Sequence, residues 1–271
     1  MKTQFFCPRW GSEQLSWEIF CAEVRAAGYE GIEYAIAHTT TDRELEQAWN
    51  YAERNRLMML PQHYDTAIPE FPRHLNAYHA WLERIKAYPA VMVNSQTGRD
   101  FFSFEQNSQL IGLAAEFSLS TGTPVCHETH RGKFSFAAHA TLPYLQTIED
   151  LKITLDISHW VNVAESYLDD QVPAVKLAIA RTNHIHARIG HPEAPQVSDP
   201  RAPEWKEALD RHLNWWDQVA ANKANQGQML TITPEFGPFP YMVHLPATGS
   251  PIANQWEVNR YMMKLLNKRY N

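Results

Sequence analysis

The 271-residue sequence has no apolar run near the roughly 18 residues a membrane-spanning helix requires. Its first residues, MKTQFFCPRWGSEQ, hold one lysine and too short an apolar stretch for a secretory signal. Glycine-rich phosphate loops of the GxGxxG or GxxxxGK[ST] form are missing, so an open nucleotide-binding sheet loses its usual mark. Cysteine is scarce: Cys7, Cys21 and Cys126 are odd in number and widely spaced, which suits reduced thiols better than a disulfide framework. An excess of basic charge is also lacking. The formal net charge is −6, which argues against a nucleic-acid partner. There is no low-complexity linker and no break in composition. These absences predict a cytoplasmic protein that binds a small molecule and engages neither membrane nor nucleic acid.

What is present is alternation. Hydrophobic residues make up 44% of the chain, enough for a large core. Short β-like runs occur near 3–10, 31–36, 57–64, 90–96, 123–130, 151–158, 182–189 and 229–236. Helix-like runs separate them. Thr41-Asp42-Arg43-Glu44 has the form of a capping box opening a helix over about 42–56, and Ser103-Phe104-Glu105-Gln106 has the same form. Trp205, Leu209, Leu213, Trp216 and Ala220 recur at helical spacing over 203–222, as do Val258, Met262, Leu265 and Leu266 over about 253–268. Parallel strands need crossover helices, and eight βα units in this length fit a closed α/β barrel, the (β/α)8 TIM barrel, as one domain over residues 1–271. An open doubly wound sheet is the alternative.

Strand parity then selects residues. Successive side chains of a strand point to opposite faces. Ile153, Leu155 and Ile157 alternate with Lys152, Thr154 and Asp156; Ile185, Ala187 and Ile189 alternate with His184, His186 and Arg188; Leu230 and Ile232 alternate with Thr231, Thr233 and Glu235. If the apolar set faces the helices, the other set points into the barrel. In PVCHETHRG, residues 124–132, the same parity sends Cys126, Glu128 and His130 inward. Four consecutive strands thus aim Glu128, Asp156, His186 and Glu235 at the axis near the C-terminal strand ends, where such barrels carry their active sites. Three converging carboxylates repel one another and are costly to desolvate, and a divalent cation removes both problems. The oxygen-rich set with one imidazole suits one divalent metal ion, Mn²⁺, Zn²⁺, Mg²⁺ or Co²⁺. Taken singly, each carboxylate could equally be a buried group paired with a basic residue.

The segments HETH (127–130), LDISH (155–159), HIHAR (184–188) and TPEFG (233–237), in this order, resemble those of the xylose isomerase-like TIM barrels. That superfamily includes sugar-phosphate isomerases, ketose 3-epimerases and zinc endonucleases acting at apurinic sites. The resemblance spans essentially the whole chain. It implies a metal held by Glu128, Asp156, His186 and Glu235, and it implies that His159 contacts substrate oxygens. The chain departs from the epimerases where they carry a substrate-holding acid and an arginine: Phe134 and Pro192 stand there. It departs from the endonucleases too, with Arg201 two after Asp199 where a histidine is expected, and no histidine in the fourth run.

The expected activity is that of a metal-dependent isomerase or epimerase on a small sugar, sugar phosphate or polyhydroxy acid. Glu128 and Glu235 exchange the proton and His159 steadies an oxygen. Alternatives are a lyase or dehydratase, an endonuclease-like hydrolase, and a non-catalytic sugar-binding barrel. Arg188 is a candidate for an anionic substrate end or for an internal salt bridge to Glu128 or Asp156. His63 and His130 are pocket candidates or core histidines. Among the aromatics near strand ends, Phe6, Trp10, Tyr64, Trp160, Phe236 and Phe239, the preferred pocket members are Trp10 and Phe236. The proline-rich loop 190–205 is placed to cover the pocket or to serve a contact in a homo-oligomer.

Overall fold

The computed structural model describes residues 2–271. Eight parallel strands close into a barrel in sequence order, β1 to β8, and β8 pairs back onto β1 through Thr3↔Leu230, Gln4↔Thr231 and Phe5↔Ile232. The strands are β1 Thr3–Pro8, β2 Gly31–Ala35, β3 Met58–His63, β4 Val93–Ser95, β5 Val125–Glu128, β6 Ile153–Leu155, β7 Thr182–His186 and β8 Leu230–Thr233. Around them lie α1 Trp17–Ala27, α2 Asp42–Arg54, α3 Phe71–Ile85, α4 Phe104–Thr121, α5 Ala138–Thr147, α6 Ile157–Val163, α7 Val172–Arg181, α8 Lys206–Asn225 and α9 Gln255–Tyr270. All eight expected strands are present, and the closed barrel replaces the open-sheet alternative. No helix among the described residues is long and apolar enough to cross a membrane.

Local signals account for the helix starts. The Ser103 hydroxyl accepts from Gln106 N, and Gln106 Oε1 accepts in return from Ser103 N, so the capping box at α4 is complete. Thr41 caps α2 one way only, through Glu44 N. The run over 203–222 divides into a 3₁₀ turn at Pro203–Trp205 and then α8, because the first helical residues follow Trp205.

The main apolar core lies between barrel and helices. A second, small cluster of Phe6, Leu60, Met92 and Cys126 plugs the barrel axis from within. Gly31 makes room for it: a Cβ there would sit 2.3 Å from the Phe6 ring. Phe6 is therefore barrel floor, not a stacking surface at the mouth. The three cysteines are unpaired and buried.

Every strand is shorter than the run expected for it, and one shortening matters. β6 ends at Leu155, and Asp156 becomes the N-cap of α6, its Oδ1 accepting from Ser158 N at 3.2 Å. Two helices, α6 and α7, then follow β6, where one was expected.

Candidate metal centre and active site

Above the apolar plug the barrel interior turns polar. β5 ends in Glu128, β7 ends in His186, the β6–α6 junction supplies Asp156, and the segment after β8 supplies Glu235. All four side chains are buried. One ligand-type atom from each can be chosen so that all four lie within 4.8 Å of one another. The strand-parity argument is thereby met in space: these residues, from four consecutive βα units, converge on one point.

Their surroundings show a surplus of negative charge. Glu33, Glu128, Asp156 and Glu235 are buried carboxyls, and Arg188 is the arginine within ion-pairing reach of them. Burial raises Asp156, and the Glu128 charge adds to this; Arg188 offsets only part. Burial likewise raises Glu235 against the pull of His186 and Arg188. At Glu128 burial also acts upward, but the neighbouring His186 charge, with the His130 charge and a hydrogen bond from Asn94, outweighs it and holds the carboxyl below the usual range. His186 is the mirror image: burial disfavours its charge, yet Glu235, Glu33 and Glu128 together hold its pKa well above the ordinary histidine value. Burial thus works against charge on Asp156 and Glu235 while the surrounding carboxylates favour it on His186, a balance expected where a cation is wanted.

The donor set fits a divalent ion on a second count. His186 Nδ1 lies 2.9 Å from Glu235 Oε2 and 3.6 Å from Glu128 Oε1, but it is aligned as a hydrogen bond to neither and counts as a buried polar atom without a partner. The other ring nitrogen, Nε2, faces Glu33 Oε1 at 2.9 Å. An imidazole with one nitrogen on a carboxylate and the other aimed into an oxygen cluster is the arrangement metal-binding histidines adopt. Each oxygen of Asp156 has a partner, Oδ1 from Ser158 and Oδ2 from Arg188, and each keeps lone-pair capacity for a ligand.

Amides complete the floor. Gln62 donates from Nε2 to Glu128 Oε2 at 3.2 Å and to Glu235 Oε1 at 3.4 Å, so one side chain bridges both acids. Gln96 reaches Glu128 Oε2 at 3.3 Å. Asn94 donates to Glu128 Oε2 at 2.9 Å and to Glu33 Oε1 at 3.0 Å. The sequence reading missed Glu33, Gln62, Asn94 and Gln96, which the structure places on the inner face of β2, β3 and the β4 end.

Arg188 sits wholly inside the structure. Its Nη2 pairs with Asp156 Oδ2, its Nε reaches Ser158 Oγ at 3.4 Å, and Nη2 lies 2.9 Å from His159 Nε2. The internal salt bridge to Asp156 is therefore formed through Nη2, and Arg188 also belongs to the lining of the cavity above. Since a guanidinium only donates, His159 Nε2 accepts and Nδ1 carries the hydrogen. That Nδ1–H is buried and has no partner. Burial holds the His159 pKa well below the usual value, with neighbouring His130 and Arg188 acting the same way, so the ring is neutral.

A cavity of about 570 Å³ opens above this floor, and Trp10, Tyr34, Gln96, His130, Glu235 and Tyr241 contribute to its lining. The His130 and His159 rings lie 4.0 Å apart on one flank. His130 Nδ1 donates to Arg131 O at 2.7 Å, and burial brings its pKa down to about 4, so its Nε2 is an available acceptor. Trp10 meets Tyr241 edge-on at 5.3 Å and packs over Gly237, where a Cβ would lie 2.2 Å from the indole; this is the work of the glycine in TPEFG. Arg188 lies 4.7 Å beneath the Tyr241 ring, a residue with no sequence signal of its own.

Three expectations for the mouth are corrected. His63 follows inward-facing Gln62 in β3 and so points outward; its ring packs on Tyr78 and Trp81 of α3, and Nε2 meets Thr66 Oγ1 at 2.7 Å. Phe236 follows Glu235 and likewise faces away, fully buried in the outer core, while its backbone is held by Asn259 and Gln255. Trp160 is buried with Nε1 on Ser135 O at 2.8 Å. The 190–205 loop is tied down at Gln196, whose amide exchanges hydrogen bonds with Gly237 N at 2.7 Å and Gly237 O at 3.2 Å.

No family model and no curated protein matches this chain. Solved structures do. The probable 3-DHS dehydratase AsbF from Bacillus anthracis superposes with a TM-score of 0.61 at 16% identity, over 99% of this chain and 100% of that one. A xylose isomerase domain containing protein from Salmonella typhimurium gives 0.61 at 14%, over 99% and 97%. An AP endonuclease, family 2, from Brucella melitensis gives 0.54 at 10%, over 87% and 93%. The fold of this chain is a (β/α)8 barrel similar to those of these three proteins. Identities this low speak to the fold alone.

Proposed function

We propose that this protein is a divalent-metal-dependent isomerase or epimerase acting on a small sugar-like or polyhydroxy-acid substrate. The observation that carries the reading is the buried convergence of Glu128, Asp156, His186 and Glu235 under an open cavity of suitable size for a small molecule. A divalent ion held by these four supplies Lewis acidity that lowers the pKa of a C–H bond next to a substrate carbonyl. The chain's own groups do the rest. Glu128 and Glu235 leave the wall at different strands, so one carboxylate removes the proton and the other returns it. The unpaired Nδ1–H of His159 donates to a substrate oxygen on which charge develops. His130 Nε2 accepts from a hydroxyl, and Trp10 with Tyr241 covers the apolar face of the sugar and excludes water.

The reading is tested by elemental analysis of the purified protein and by proton–deuterium exchange at carbon across a panel of ketoses and polyhydroxy acids. One divalent ion per chain, together with exchange for at least one substrate, is expected. A protein that binds no divalent ion would overturn it. Two or three ions per chain would favour a hydrolase instead.

Dehydration is the second reading. It is favoured by the His130–His159 pair, which sets a neutral N–H on one flank to hydrogen-bond a leaving hydroxyl. Loss of water from the product distinguishes it.

A further inference from the structure

Directly beneath the four converging side chains lies Glu33 of β2, at 2% exposure. Three donors end on it: His186 Nε2 at 2.9 Å and Asn94 Nδ2 at 3.0 Å reach Oε1, and His184 Nε2 at 3.2 Å reaches Oε2. Its ion-pair partners among the described residues are those two histidines, with no lysine or arginine. A buried carboxylate without a lysine or arginine beside it is costly, and the three donors offset that cost.

The donors define what Glu33 organises. A carboxylate oxygen only accepts, so Nε2 of His186 carries a hydrogen towards Glu33, and in the neutral ring that a metal ion requires Nδ1 presents its lone pair. Nδ1 is the atom that lies unpartnered among Glu128 and Glu235. Asn94 uses both amide hydrogens, one on Glu33 and one on Glu128, which ties the carboxylate below to an acid of the cluster. His184 closes the set from the other side, its Nδ1 meeting Thr231 Oγ1 at 2.8 Å.

We propose that Glu33 is the positioning residue of the metal centre: its carboxylate fixes the His186 tautomer so that Nδ1 is the ligating atom, and through Asn94 it sets the rotamer of Glu128. This rests on the metal-centre reading above. Removing such an outer partner typically weakens metal binding about 10–100-fold.

The test is a Zn²⁺ competition titration against a chromophoric chelator for wild type, Glu33→Gln and, as a control, His63→Leu. Glu33→Gln should lose about 10–100-fold in Zn²⁺ affinity, and its Co²⁺ complex should show an altered visible spectrum; the control should match wild type. A folded Glu33→Gln protein with wild-type affinity and an unchanged Co²⁺ spectrum overturns the proposal. A measurement on the wild-type protein guards against misfolding of the variant. Long-range ¹H–¹⁵N correlation of the Zn²⁺-loaded protein should show His186 protonated at Nε2, and a proton on Nδ1 would overturn the proposal regardless of the variant. Wild type that binds neither ion fails at the earlier step and overturns the metal centre itself.

Discussion

Arg188 Nη2 stands 2.9 Å from Nε2 of His159 and, with the same nitrogen, pairs with Asp156, all three side chains being at most 1% exposed. One guanidinium therefore fixes a proposed metal ligand and the tautomer of the neighbouring histidine. Burying an arginine is tolerable only because Asp156 and Glu235 face it, and their attraction outweighs burial and keeps it charged.

Replacing Arg188 by methionine should leave Asp156 buried without its counter-charge and destabilise the protein by about 3–5 kcal/mol. Urea unfolding of the metal-free protein measures this. An unchanged midpoint would mean that the pair contributes nothing net.

Glu235→Gln removes a proton carrier while keeping the shape of the side chain. Carbon–deuterium exchange should fall by at least about 10²-fold, in line with the contribution of a positioned acid–base group. Substrate binding, followed separately by calorimetry at saturating metal, should persist. Full exchange in this variant would remove Glu235 from the proposed proton transfer.

Acid should destabilise the protein well above the range where surface carboxylates titrate. His212 in α8 is buried; its Nε2 accepts from Gly190 N at 3.2 Å and its Nδ1 donates to Ala208 O at 2.8 Å. Burial lowers its pKa to about 4, only partly offset by the bond to Ala208. The unfolded chain, with an ordinary histidine near 6.5, binds the proton that the folded chain refuses. Stability is unaffected above pH 6.5, declines as pH falls towards about 4, and is level below; this one group accounts for a loss of about 3 kcal/mol. His127, lowered by burial to about 3, acts in the same direction. Denaturant midpoints at pH 7.5 and pH 5 should differ accordingly, and the difference should shrink in His212→Gln.

His63→Leu should leave catalysis alone, because the ring faces α3 and not the cavity. Loss of its bond to Thr66 and of its contacts with Tyr78 and Trp81 should cost about 1–2 kcal/mol. A large fall in turnover with unchanged stability would restore His63 to the mouth.

The eight strands and the inward set on β5 to β8 were legible because they depend on period and parity, which are local, whereas the choice of closed barrel over open sheet needed the structure. Thr154–Asp156, His184–His186 and Thr233–Glu235 each reveal a face within three residues. The same rule applied to Ile32-Glu33-Tyr34 would have placed Glu33 inside, but in Leu60-Pro61-Gln62-His63 it fails, because apolar Leu60 lies in the inner plug and shares its face with Gln62. Phe236 was misplaced by weighing its type over its parity beside Glu235. Asp156 was read as a strand residue although its carboxylate caps α6, since an aspartate fits both patterns until the backbone turns.

Sequence alone determined that eight strands alternate with helices and that four metal-type side chains share one face, because side-chain period follows from backbone geometry within a few residues. Tertiary structure alone decided which of those groups face one another: that Arg188 pairs with Asp156 and His159, that Glu33 meets His186 from below, and that Tyr241 closes over the guanidinium. Those pairings join residues up to 153 positions apart. They arise when barrel closure brings distant strand ends within hydrogen-bonding distance in a medium where charge has no water to turn to.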